Sequence, residues 1–463
     1  MKRKFVPVFV LALLVLSCSP CGLFSRAPEA TDVPVPTPPP VLEATPTKVA
    51  VEPTEPAEPT VPPPSSDLEV VAVSGYQGRD GDWRVVGLVT NGTDLAVDSV
   101  EIQVQVLDAA GESLYSEIAN ASLYNLAPGE TSPFSWWVTE ELPDADSVTA
   151  AVVGQSTTTL ERAQVEIRGT VMTVDDDGDL YVTGEIVNES DQPVQVNGVA
   201  AATFDGDGEI ATANDAGVLL RYLAPGESGP FRVTMDGPAS GVGEIAEYNV
   251  YLDAEITTPE DKRMLSLSEH HNYVDSRFDD FHLVGEVTND DDESWNVTLL
   301  AAIYDADDNV VDVSSLNLPV SALAPGETVP YDFDSWGPLN YKAGFIEQAV
   351  RYTVHWDPYW TWSTDTVYQE LSTVNDEMLP VSANGLGTFT GQVVNDSGGT
   401  IDYVIIILGL RDSTGQIVAT GSTTVWDDLA DGASAEYTIY VDLDPDLDAD
   451  SLSYFTIVRG KQP

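Results

Sequence analysis

The chain has 463 residues, too many for one hydrophobic core, and carries 76 acidic against 19 basic side chains for a net charge of −57. That balance excludes a nucleic-acid or anionic-lipid surface as partner of the body, because both need clustered Lys and Arg. Only two cysteines are present, Cys18 and Cys21, so whatever follows residue 21 is stabilised without disulfides.

The N-terminus comes first. "MKRK" supplies positive charge and Phe5 to Ser17 form an apolar run. A membrane-crossing helix needs about 20 apolar residues, so this shorter run reads as the core of a signal peptide over 1–17. "VLSC", Val15 to Cys18, resembles the lipobox of bacterial lipoproteins, with small Ser17 before the cysteine and Leu16 larger than usual there. The resemblance implies that Cys18 becomes the acylated N-terminus, anchoring the protein by lipid to the outer face of a bacterial membrane, its body extracellular or periplasmic. Residues 18–66 follow as a tether, with 13 prolines between Ala27 and Ser66. Proline removes backbone donors and fixes φ, so neither helix nor sheet is expected there.

From residue 67 the chain repeats itself. "LAPGE" occurs at 126–130, 223–227 and 323–327, with a degraded copy "LADGA" at 429–433. Upstream of each stands a Gly four residues before an Asn: Gly87 and Asn91, Gly184 and Asn188, Gly285 and Asn289, Gly391 and Asn395. Five residues beyond each pentapeptide glycine comes an aromatic: Phe134, Phe231, Tyr331, Tyr437. Repetition at this period means tandem domains, here 67–158, 159–258, 259–366 and 367–463.

Each unit reads as β. "VDSVEIQVQVLD" alternates, with Val100, Ile102, Val104 and Val106 on one face and Glu101, Gln103 and Gln105 on the other. "YVIIILGL" at 403–410 is apolar throughout, as a strand covered on both faces should be. Pro then Gly in "LAPGE" fits positions i+1 and i+2 of a type II turn, which needs φ > 0 at the glycine. The fold class is therefore all-β: four tandem immunoglobulin-like sandwiches after a signal peptide and a disordered tether.

The pattern "GxVxN", a strand ending as in "AAIYDADDN", then "LxPGE" and an aromatic, resembles the FxLYD-type domain of bacterial lipoproteins. The family's Phe is replaced by Val104, Ala201, Ala301 and Leu408, and its Tyr survives only as Tyr304. The resemblance implies exported sandwiches without catalytic residues.

Chemistry-bearing motifs are few. His270, His271, His282 and His355 show no zinc-like spacing, and no nucleophile or phosphate motif appears. Two constellations remain. Trp356, Tyr359, Trp360 and Trp362 form an aromatic cluster, read either as a plug between units or as a saccharide or peptide platform. Asp175, Asp177, Asp179, Asp205, Asp207 and Glu209 lie in two turns that up-and-down strands would bring to one end, offering oxygens to calcium. No other cofactor is expected. The leading reading is a non-catalytic envelope lipoprotein serving as spacer or interaction module, with an unknown protein or polysaccharide as partner. The alternatives are a carbohydrate-binding lipoprotein using 356–362 and, behind it, an envelope enzyme.

Overall fold

The computed structural model describes residues 67–159, 161–175, 178–237, 245–258, 265–278, 280–333, 349–357, 361–364 and 366–462. The Cys18 anchor and the tether lie outside them. The only helical element among the described residues is a 3-10 turn at Ala449–Ser451; everything else regular is strand.

The first repeat contains β1 (Leu68–Gln77), β2 (Trp83–Asn91), β3 (Val97–Asp108), β4 (Ser113–Asn120), β5 (Asn125–Leu126), β6 (Thr131–Val138) and β7 (Ala145–Thr157). The second contains β8 (Val165–Val174), β9 (Leu180–Asn188), β10 (Val194–Asp205), β11 (Ile210–Leu219), β12 (Tyr222–Leu223), β13 (Ser228–Met235) and β14 (Ile245–Ile256). The third runs through β15 (Leu265–Leu267), β16 (His271–Val274), β17 (Phe281–Asn289), β18 (Trp295–Asn296), β19 (Thr298–Tyr304), β20 (Val310–Asn317), β21 (Thr328–Phe333), β22 (Arg351–Trp356) and β23 (Trp362–Ser363). The fourth has β24 (Tyr368–Glu370), β25 (Ser372–Leu379), β26 (Leu386–Val394), β27 (Tyr403–Arg411), β28 (Ile417–Val425), β29 (Ser434–Asp442) and β30 (Ser453–Lys461).

The pairing recurs in every repeat. One sheet runs β1-β2-β6, repeated as β8-β9-β13, β15/β16-β17-β21 and β25-β26-β29. The facing sheet runs β4-β3-β7, repeated as β11-β10-β14, β20-β19-β22 and β28-β27-β30. All pairs are antiparallel, and the fold is an all-β array of sandwiches.

The register explains the repeated spacings. Gly87 pairs across the ladder with Phe134, and the same partners recur as Gly184 with Phe231, Gly285 with Tyr331 and Gly391 with Tyr437. The aromatic ring lies over the glycine: a Cβ on Gly87 would stand 2.3 Å from the Phe134 ring. A residue with any side chain would displace the largest buried group of that sheet.

Four residues further along the same register, the asparagine meets the pentapeptide. Asn188 is fully buried; its Nδ2 donates to the carbonyls of Gln192 and Leu223, and its Oδ1 accepts from the N–H and hydroxyl of Ser190. Its backbone carbonyl accepts from Gly226 N–H at 2.9 Å. Asn91, Asn289 and Asn395 hold their own turns through the same two carbonyl contacts. Within the turn, Glu227 N–H donates to the Ala224 carbonyl, and the glycines have φ of 80° (Gly129), 77° (Gly226), 72° (Gly326) and 74° (Gly432). The type II turn of the sequence reading is present in all four repeats. The glutamate has a task that the sequence did not disclose: its carboxylate returns to the turn and accepts the alanine N–H, at 2.7 Å in Glu130 and Glu227 and 2.8 Å in Glu327.

Successive repeats pack sheet on sheet, and the described residues belong to one compact unit. The outward residues Val86 and Leu88 of β2 join Ala202, Ile210 and Ala213 of the second repeat. Leu300, Ala302, Tyr304 and Val310 of the third repeat share a cluster with the second repeat's core. Ile405 and Ile407 of the fourth join the third repeat's core, and Val284 meets Ile417. In each case the β2-type sheet of one repeat covers the β3-type sheet of the next.

Candidate functional site

Arginine is concentrated at these junctions. Between the first and second repeats, Arg79 pairs with Asp179 and Arg84 with Asp236, while Arg162 bridges Glu130 and the fully buried Asp253. Between the third and fourth, Arg411 reaches Glu286, Arg459 reaches Glu327 at 2.6 Å and Arg277 faces Asp442 at 3.4 Å. Two of these pairings end on the pentapeptide glutamate, so the turn also helps to dock the following repeat. The planar guanidinium, with its fork of donors, suits shared carboxylates better than an ammonium does. In so acidic a chain, these pairs offset repulsion between neighbouring repeats.

The second junction encloses titratable groups. Arg232 and Asp312 are both buried and 3.6 Å apart, too far for a hydrogen bond, and burial raises the Asp312 carboxyl to about 7 against the partial opposition of Arg232. His355 is pushed down to about 4, chiefly by burial. The Tyr304 hydroxyl donates to Glu185 across the junction, and the Arg351 guanidinium lies 3.5 Å over the Tyr304 ring.

At the third junction, His282 sits between Asp332 (2.9 Å) and Asp275 (3.5 Å), stacked at 4.6 Å on Tyr273, whose hydroxyl donates to the Asp442 carbonyl. His282 is only 7% exposed, so the group is an enclosed interface cluster rather than a cleft. His271 meets Asp444 of the fourth repeat, while His270 bonds Tyr331 of its own repeat and accepts from Gln416 of the fourth through its carbonyl.

The acidic turns of the second repeat are occupied locally. Asp175 accepts from Asp179 N–H and the Tyr181 hydroxyl, and Asp205 accepts from Asp207 N–H and Glu209 N–H. Asp179 turns to Arg79. Asp177 lies outside the described residues. Among the described residues no three His, Cys, Asp or Glu side chains gather as a metal-ion site.

The aromatic cluster divides. Trp356 packs half-buried on the third repeat's core, whereas Trp362 is 51% exposed; Tyr359 and Trp360 lie outside the described residues. Trp362 opens instead onto a cleft of about 430 Å³ whose other aromatics come from the fourth repeat: Tyr368, Tyr403 and Trp426. β23 places Trp362 by pairing it with Asn296 of β18. Trp426 follows the last residue of β28, is 76% exposed, and lies 5.6 Å from Tyr403 with the ring planes at 44°. The Tyr368 hydroxyl is 2.8 Å from Ser321 Oγ. Burial pushes Tyr403 up to about 12, with a hydrogen bond to Tyr368 adding to the effect. Asn317, Leu318, Pro319, Ile405 and Thr424 complete the lining. Sequence reasoning missed Trp426, because it stands alone in its segment and reaches the cleft only through sheet packing between repeats.

No family model and no curated protein matches the chain. Among solved structures it is similar to a tetra-tandem repeat from the extending region of a large adhesion protein, at 14% identity over 86% of this chain and 95% of that one, with a TM-score of 0.12. It is also similar to the alpha-2-macroglobulin of E. coli in its native conformation, at 14% identity, 85% and 27% coverage and a TM-score of 0.12. Dimeric latent PorU from Porphyromonas gingivalis gives 10% identity, 84% and 33% coverage and a TM-score of 0.12. The chain thus spans about a quarter to a third of the latter two proteins. At such TM-scores the chains do not superpose as wholes, and nothing about this one follows from them.

Proposed function

We propose that the chain is an exported, lipid-anchored envelope protein whose folded body is a non-catalytic spacer or interaction module of four FxLYD-type, immunoglobulin-like domains at 67–158, 159–258, 259–366 and 367–463. The observation that supports it is the contact recurring at three junctions, where one sheet covers the next and buried or half-buried arginines bridge the two. Sandwiches coupled in this way hold their surfaces in fixed relation, as a presenting body requires. The charge of −57 keeps that body away from nucleic acid and anionic surfaces. Cys18 would carry the lipid that attaches the body to the outer face of a membrane.

The anchor is tested by detergent phase partitioning and mass spectrometry of the mature protein. Wild type is expected in the detergent phase with an acylated Cys18, and Cys18→Ser in the aqueous phase or unprocessed. A mature protein with an unmodified N-terminus elsewhere would overturn the anchor.

A further inference from the structure

We propose that the cleft formed by Trp362, Tyr368, Tyr403 and Trp426 binds a neutral oligosaccharide. The inference rests on the interaction-module reading and gives it a ligand class. Its basis is the contrast between the cleft and the rest of the body. The chain has 76 acidic residues, yet none of the described residues lining this cleft is charged. The lining combines aromatic rings with amides and hydroxyls: Asn296, Asn317, Ser321 and Thr424.

Sugar rings present apolar C–H faces ringed by hydroxyls. Aromatic planes take the faces, and neutral amides and hydroxyls exchange hydrogen bonds with the rims, without the desolvation cost of an ion. A volume of about 430 Å³ lies within the range of small-ligand sites. An acidic polysaccharide would meet the field of the whole body, so charge complementarity selects a neutral one.

A proline-rich peptide is the rival for an aromatic groove. Such a peptide offers bare carbonyls that need donors from the groove's aromatic side chains. Here the Tyr368 hydroxyl is engaged with Ser321 and the Lys461 ammonium lies 5.6 Å over the Tyr403 ring, leaving the Trp362 and Trp426 rings as the exposed feature. Trp426, three-quarters exposed, leaves apolar surface in water in the free protein.

The experiment is calorimetric and fluorescence titration of the full-length protein with neutral hexasaccharides (gluco-, xylo-, manno- and N-acetylglucosamine series), polygalacturonate and decaproline. At least one neutral hexasaccharide is expected to bind, and Trp426→Ala to weaken it by about tenfold or more, equivalent to about 1.4 kcal/mol. Trp362→Ala should weaken it likewise. Trp137→Ala, an exposed tryptophan of the first repeat far along the chain from the cleft, should leave binding unchanged. No saturable binding to any neutral glycan, binding that survives both cleft substitutions, or binding of decaproline alone would overturn the proposal. Since the cleft is remote in sequence from Cys18, these outcomes leave the anchor test untouched.

Discussion

The strand β3 of the first repeat and β27 of the fourth occupy the same place in their sandwiches and bury the same inner face, yet their outer faces differ. In β3 that face carries Glu101 and Gln103, both exposed, and half-buried Gln105. In β27 the corresponding face carries Ile405 and Ile407, buried against the third repeat's core. The position of Gln103 is taken by Ala200, Leu300 and Ile407 in the later repeats, each covered by the repeat before it. The far end of the array behaves like the near one: the outward residues of β26 are Thr388, Thr390 and Gln392, where β2 has Val86 and Leu88. Polar outer faces on terminal repeats and apolar ones between them are how repeat arrays bury a shared surface while staying soluble. The repeats are therefore coupled through their covered faces.

The largest test of this contrast places a charge at equivalent positions. Ile407→Asp buries a carboxylate without a partner and should cost about 3–5 kcal/mol. Gln103→Asp, in solvent, should stay within about 0.5 kcal/mol. Denaturant melts of the two variants should differ accordingly; similar losses would mean that the two faces are equally buried.

The asparagine lock should not share the difference, since it lies inside each sandwich. Asn91→Ala and Asn289→Ala each remove two carbonyl partners in a buried site and should each cost about 3 kcal/mol. Each effect should spread to the following repeat, because the locked turn carries the glutamate paired with that repeat's arginine, and hydrogen exchange of the second repeat's amides for Asn91→Ala and of the fourth's for Asn289→Ala would register it.

Arginine sharpens the comparison further. Arg459→Ala leaves the Glu327 carboxylate, 9% exposed, without its ion pair and should cost about 1–3 kcal/mol. Arg168, which bridges Glu166 and Glu189 on the surface of its own repeat, should be replaceable by Ala with no measurable change in melting.

The smallest effect is one of pH at the second junction. Burial raises Asp312 to about 7, above its unfolded value of about 3.9, so the folded state binds that proton more tightly. Its contribution to stability is complete at low pH and is lost as pH rises through 7. His355 acts in the opposite sense: lowered to about 4, it contributes above about 6.5 and is lost as pH falls toward 4. Between about pH 6.5 and 8 the slope from Asp312 should dominate, and Asp312→Asn should flatten it relative to wild type in thermal melts. Parallel profiles for the two proteins would show Asp312 ionised throughout.

Much of this was legible in the sequence. Pro128 and Gly129 fixed their turn because φ > 0 after proline has few alternatives, and the alternation of Val97–Asp108 identified a half-covered strand. The unbroken apolar run of 403–410 even announced the covered outer face. What supplied the cover was not legible, because a strand buried by its own domain and one buried by a neighbour read alike. The Asn91 lock was hidden for a related reason: an asparagine after a strand is ordinary turn chemistry. Its four-residue distance from Gly87, matching Glu130 to Phe134, was the available signal. The partners of the acidic turns were not legible either. Asp179, read as one of the oxygens offered to calcium, pairs with Arg79 of another repeat, a contact that no local pattern signals.

Scanning calorimetry of residues 67–463 beside a fragment ending at 366 tests the coupling of repeats most directly. Removing the fourth repeat uncovers Tyr273, Val284 and the third repeat's contacts with Ile405 and Ile407. The transition of the third repeat should then fall by several degrees and separate from those of the first two. A fragment whose transitions superpose on those of the longer chain, minus one peak, would contradict the account.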